Sequence, residues 1–274
     1  MEIEHIIQVP GKHTEGVRLK GFVIANSPMI EAERKHPAVL ICPGGGYHHL
    51  SDREAEPVAY KFTAEGVHAF ILYYTIAPQG EYPQSLCEVL AALAYIREHA
   101  EEYHIDVNNI AVCGFSAGGH LAGCAGAFWN SSEILSLIGK TSEEVKPNKV
   151  ILSYPVISSG EKAHKDSFIN LLGDHKDNQE LRDRVSLEKQ VTKYFPPVLI
   201  WHTQEDGAVP VENSLYLVNA LIAAGVRTEF HLYPTGRHGL SLGNYLSDRD
   251  IPYGVNHPTG EWIEKAIQFM YTEL

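Results

Sequence analysis

What most limits the fold of this 274-residue chain is a series of short, unbroken apolar runs at 38–42, 69–74, 110–113, 150–154, 198–201 and 230–233. A strand with one wet face alternates apolar and polar residues. A run without alternation suits a strand covered on both faces, as in a parallel sheet. Between these runs the apolar spacing changes to three and four residues. Leu86, Val89, Leu90, Leu93, Ile96 and Ala100 fall on one helix face, Leu215, Val218, Leu221 and Ile222 nearly repeat the pattern, and Trp262, Ala266, Phe269 and Met270 mark a closing helix over 261–271. Strands alternating with helices predict an α/β fold with a doubly wound, mostly parallel sheet. The N-terminus departs from this: 6–9 and 17–24 alternate and flank Pro10-Gly11, which predicts an antiparallel hairpin leading into the sheet. With 44% hydrophobic residues the chain can fill a two-sided core, so residues 1–274 are expected to form one domain. The stretch 158–194 breaks the alternation. It is polar apart from groups such as Phe168-Ile169 and Leu171-Leu172, and it reads as a cap or long active-site loop.

Charge and composition exclude several partners. With 34 acidic against 22 basic side chains the formal charge is -12, which opposes binding to nucleic acid or to anionic lipid. No apolar stretch approaches the length of a membrane span, and the first residues lack the basic and apolar blocks of a secretion signal, so a cytoplasmic protein is expected. Cys42, Cys87, Cys113 and Cys124 include no CxxC pair and read as reduced core thiols. His48-His49 invites a metal reading, but no HExxH or comparable ligand spacing is present, so neither metal nor cofactor is expected.

The segment that carries chemistry is Gly114-Phe115-Ser116-Ala117-Gly118, directly after the run 110–113 and before the helix-like Gly119-His120-Leu121-Ala122-Gly123. Strand, tight turn and helix is the setting of a nucleophile elbow, where a serine hydroxyl projects above the sheet edge and glycines allow close backbone approach. No lysine follows, as a phosphate-binding loop would need. A serine nucleophile needs a base, and the base needs an orienting carboxylate. Asp206 follows the run 198–201 and His238 follows 230–233, in the chain order Ser, Asp, His. Glu205 competes for the acid role, with Asp174 and Asp177 as more remote candidates. Pro43-Gly44-Gly45-Gly46-Tyr47 follows the run 38–42, where backbone amides could face a carbonyl oxygen, so Gly45, Gly46 and Ala117 are assigned to an oxyanion hole. Tyr47, His48, Tyr74 and Tyr154 lie at the same sheet edge and are expected to line the substrate pocket. Arg53 and Glu54 are expected to anchor the glycine loop, and His202 and His231 to be hydrogen-bonded core groups.

These motifs resemble the esterase branch of the α/β-hydrolases, in particular small bacterial carbohydrate esterases of the acetyl-xylan and feruloyl type. The likeness rests on Pro43 to Tyr47 with Ser51-Asp52-Arg53-Glu54, on Gly114 to Leu121, on Trp201 to Pro210 and on Arg237-His238-Gly239-Leu240. It implies the α/β-hydrolase fold and cleavage of short acyl esters, above all acetyl, on a carbohydrate substrate. Where the broader lipase branch often has a histidine before the glycine run, this chain has Pro43. Arylformamidase or small-peptidase chemistry on the same four parts is the alternative, and a non-catalytic binding module is an alternative of another class.

Overall fold

The computed structural model describes residues 1–10, 15–248 and 254–273. It contains one eight-stranded sheet with the order β1-β2-β4-β3-β5-β6-β7-β8. The strands are β1 (Glu2–Ile7), β2 (Val17–Phe22), β3 (His36–Cys42), β4 (His68–Tyr73), β5 (Ile105–Phe115), β6 (Lys149–Ser153), β7 (Val198–Thr203) and β8 (Thr228–Tyr233). The pairs β1/β2 and β2/β4 are antiparallel and all others are parallel. The N-terminal hairpin is therefore present, although Gly11 of its expected turn lies outside the described residues. Helices α1 (Glu56–Ala64), α2 (Gln84–Glu98), α3 (Ala117–Phe128), α4 (Ser132–Ile138), α5 (Ser142–Val145), α6 (Lys165–Leu172), α7 (Gln179–Arg184), α8 (Glu212–Ala223) and α9 (Trp262–Tyr271) connect or follow the strands. This is the α/β-hydrolase fold.

Each central strand divides its side chains between two cores. Ala38, Leu40 and Cys42 of β3 pack on one face with Leu86, Leu90 and Leu93 of α2, Leu121 of α3 and Leu217 of α8. Val39 and Ile41 pack on the other with Val58 and Phe62 of α1 and Trp262 and Phe269 of α9. Residues 110–113 and 198–201 divide in the same way, which is why these runs have no polar positions: a period of two serves both faces. The edge strand β8 is different. Its residues are mostly half-buried, and His231 pairs with Glu229 near solvent (Nε2 to Oε1, 2.6 Å) rather than in the core.

Helix α8 also departs from the expected face. Ser214, Leu217 and Leu221 point inward, while Leu215 and Ile222 are exposed. Apolar residues surround this helix on nearly every side, so polar anchors select its orientation. Asn213 accepts from the amides of Ile157 and Ser158 at 2.9 and 3.0 Å, and Ser214 Oγ meets His202 Nδ1 at 2.7 Å.

The stretch expected as a cap contains α6 and α7. Phe168, Leu171 and Leu172 of α6 join the core that holds α2 and α3, which fixes this helix over the C-terminal edge of the sheet.

Candidate active site

Three strand ends bring the site together. At the end of β5, Ser116 takes φ 53° and ψ −118°, a conformation that side chains other than glycine rarely adopt. The turn is held by Ser116 N–H donating to Ser153 O (3.0 Å) and by Ser116 O accepting from His120 N (3.1 Å) and Val156 N (3.0 Å). It also requires its glycines. A Cβ on Gly114 would lie 2.1 Å from Gly118 O, and one on Gly118 would lie 2.1 Å from Cys42 O.

Ser116 Oγ lies 2.8 Å from His238 Nε2, and His238 Nδ1 lies 2.6 Å from Asp206 Oδ2. An ionised carboxylate only accepts, so Nδ1 carries the ring proton and Nε2 is left to accept from the serine hydroxyl. Asp206 is buried, and Oδ1 accepts from the amides of Ala208 and Val209, both at 2.9 Å. Burial alone would raise this carboxyl, but hydrogen bonds from His202 and His238 outweigh it and hold Asp206 well below the usual carboxylate range. Glu205 faces elsewhere, accepting from Gly236 N at 3.4 Å, while Asp174 and Asp177 are exposed on the insertion.

Above Ser116 the glycine loop is shaped by Glu54. This buried carboxylate accepts from Gly44 N at 2.8 Å through Oε2 and from Tyr154 OH at 2.6 Å through Oε1, and Tyr154 OH accepts in turn from Ser241 N at 3.0 Å. With the Gly44 amide occupied, those of Gly45, Gly46 and Ala117 have no protein acceptor among the described residues. Gly45 (φ +131°) and Gly46 (φ +63°) occupy backbone regions that favour glycine, and a Cβ on Gly45 would meet His49 O at 2.1 Å. Ala117 opens α3, whose N-terminal dipole favours negative charge at the same place.

A cavity of 590 Å³ opens over Ser116 and His238, lined by Gly45, Gly46 and His48 from the glycine loop, Arg53 and Glu54 behind it, and Arg237. Three tyrosines expected there are placed differently. Tyr47, Tyr74 and Tyr154 are buried and absent from the lining, and each hydroxyl is engaged: Tyr47 with His120 Nδ1 (2.7 Å), Tyr74 with Pro43 O (2.7 Å), and Tyr154 with Glu54. They fix the loops from behind. At a strand end the position is legible from sequence, but the direction of a side chain is set by turns such as Tyr47 and Tyr154, both at positive φ (59° and 37°).

A further wall of the cavity comes from α6 and the residue before it, which no motif singled out: His164, Asp166, Ile169 and Asn170. Asn170 Nδ2 donates to Gly46 O at 2.8 Å, tying the insertion to the glycine loop. Burial and then the neighbouring His238 push the His164 imidazole below its usual range. The one sequence signal for this wall was the Phe168 and Leu171-Leu172 pattern, which turns the opposite face of α6 towards the cavity. Among the described residues no group of three or more His, Cys, Asp or Glu is arranged to hold a metal ion, and no helix is long and apolar enough to cross a membrane.

The sequence model of the family described as BD-FAE matches residues 27–221. The chain belongs to the BD-FAE family. It is 38% identical to endo-1,4-beta-xylanase B of Butyrivibrio fibrisolvens over 77% of this chain and 33% of that protein. It is 32% identical to an acetylxylan esterase of Xylanibacter ruminicola over 83% of this chain and 45% of that one. The match thus spans less than half the length of each of these two relatives. A solved structure, the acetyl ester-xyloside bifunctional hydrolase of Caldicellulosiruptor lactoaceticus, superposes with a TM-score of 0.77 at 34% identity, covering 93% of this chain and 87% of that one.

Proposed function

We propose that this chain is a serine esterase that removes short acyl groups, above all acetyl, from carbohydrate esters, with Ser116, His238 and Asp206 as its catalytic triad. The observation that carries the reading is the continuous hydrogen-bond line from Asp206 through His238 to Ser116 Oγ, which ends beside amides with no protein acceptor. His238 Nε2 takes the proton of Ser116 as Oγ attacks the ester carbonyl. Asp206 holds the ring orientation and stabilises the imidazolium. The amides of Gly45, Gly46 and Ala117 receive the oxyanion. His238 then protonates the leaving alcohol, the acyl-serine forms, and water activated by the same base releases the acid. No step calls on a cofactor.

The carbohydrate part rests on a cavity rich in polar groups, with Ser51, Asn170, His48 and Arg53 available to meet hydroxyls, and on relatives named for acetylated xylan and xylosides. The wall from α6 adds Ile169 but no continuous greasy surface of the kind a long acyl chain requires. Residues 1–274 act as one catalytic domain, because one sheet carries every triad member. The four buried, unpaired cysteines suit a reducing compartment, and the cytoplasm is assigned on that basis.

The test is a substrate panel on the wild type and Ser116→Ala. Acetylated xylo-oligosaccharides should release acetate faster than long-chain acyl esters, formamides or peptides are cleaved, and Ser116→Ala should lose turnover while keeping its fold. Preference for formamides or peptides would redirect the reading to amidase chemistry, and undiminished turnover by Ser116→Ala would remove the nucleophile.

A further inference from the structure

Asp206 serves two histidines. His238 reaches Oδ2 through Nδ1 at 2.6 Å, and His202, fully buried on β7, reaches the same oxygen through Nε2 at 3.2 Å. His202 Nε2 also lies 3.0 Å from Val209 O, and its Nδ1 lies 2.7 Å from Ser214 Oγ on α8. Both neighbours of Nε2 are acceptors, so this nitrogen carries the proton and Nδ1 accepts from the Ser214 hydroxyl. The loop after β7 is thereby closed on itself. Oδ1 is held by the amides of Ala208 and Val209, and Oδ2 by one histidine on each side.

We propose that His202 is a positioning residue of the reaction centre: its Nε2–H holds Asp206 in register for His238 and, by sharing Oδ2, limits how much carboxylate charge faces the His238 ring. The inference rests on the triad reading above. Without His202 the Oδ2 side of the carboxylate keeps only the His238 ring that it has to orient, and small misplacements of reacting groups are costly. The sharing has a separate consequence. A carboxylate relieved of one donor stabilises the His238 imidazolium more strongly, so the acidic limb of activity moves to higher pH. The other titratable groups facing this cluster are Glu212 at the start of α8, which feels His202 and pairs with Lys162 at 2.9 Å, and His164, which feels both His238 and Asp206. The Tyr154 ring packs against His238 with centroids 4.9 Å apart.

The experiment compares kcat/KM against pH, on an activated acetyl ester, for wild type, His202→Gln and His202→Asn, with melting temperature recorded for each. A glutamine amide nitrogen overlies the histidine Nε2 position and can still donate to Asp206. An asparagine amide overlies Nδ1 and reaches only Ser214. His202→Asn should lose about tenfold to a hundredfold in kcat/KM, with its acidic limb displaced to higher pH. His202→Gln should stay within about threefold of wild type with the limb in place. A role confined to stability lowers the melting temperature of both variants and leaves both limbs unmoved, and that result overturns the proposal, as does a glutamine variant as impaired as the asparagine one. If neither variant folds, Ser214→Ala decides: a smaller displacement in the same direction supports the inference and an unmoved limb overturns it. Full turnover by Ser116→Ala in the same assay would instead refute the triad reading itself.

Discussion

The backbone conformation of Ser116 costs about 1–3 kcal/mol, and three hydrogen bonds with two glycines that leave no room for a Cβ maintain it. Gly118→Ala should therefore lower melting temperature and activity together, because a Cβ 2.1 Å from Cys42 O displaces the backbone that supports the elbow. Glu54 is a second point of leverage. Both of its oxygens accept from buried donors, Gly44 N–H and Tyr154 O–H, whereas a glutamine offers one acceptor and one amide. Glu54→Gln leaves one of those donors facing an N–H, so chemical denaturation should report a loss of about 1–3 kcal/mol. Because the glycine loop hangs from Gly44, steady-state kinetics should show kcat falling more than KM rises. At this scale the meeting of Ser116, Asp206 and His238 in one hydrogen-bonded group was legible because each follows a strand, and a strand end fixes which sheet edge a residue occupies. The roles of Tyr47, Tyr74 and Tyr154 were not. Their side chains turn inward at turns whose dihedral angles no spacing rule encodes, and the Glu54 carboxylate that receives Tyr154 is 100 residues away in sequence.

Among the elements, α6 does most to shape the site after the sheet itself. Its inner face, Phe168, Leu171 and Leu172, is packed in the core, and Asn170 on the other side donates to Gly46 O. Asn170→Ala should leave melting temperature within about 1 kcal/mol equivalent, since one hydrogen bond is lost at a half-buried position. If the glycine loop receives the oxyanion as proposed, the variant should lower kcat by about tenfold through a looser loop, and comparison of kcat with thermal denaturation checks both halves. The polar stretch 158–194 was legible as an insertion at the active edge, but its helices were not, because six to eight residues give too little period for a face to be assigned. Helix α8 shows the reverse difficulty. Its apolar residues allow several faces, and Asn213 and Ser214, which choose among them, do so through partners on other strands and loops.

For the whole molecule, the two cores explain why the central strands were the clearest part of the sequence: every position in runs such as 38–42 is buried by one layer or the other. The interior also contains histidines that set the response to acid. Burial lowers His120 to about 4, and burial followed by the nearby His36 lowers His68 to about 4. An unfolded histidine titrates near 6.5, so between about pH 6.5 and 4 the unfolded chain binds more protons than the folded one. Their contribution to stability is complete above about pH 6.5 and declines as pH falls towards 4. Melting temperature should decline across this window, and His120→Gln should flatten the slope. A melting temperature constant from pH 7 to 4 would contradict the burial of these rings. The claim on which the account depends is that one serine, activated through His238 and Asp206, carries the reaction. Labelling of the folded protein with a fluorophosphonate, followed by peptide mapping, tests it most directly. A single adduct on Ser116, lost in His238→Ala, is the predicted result. A folded protein that stays unlabelled, or is labelled at another residue, would contradict it.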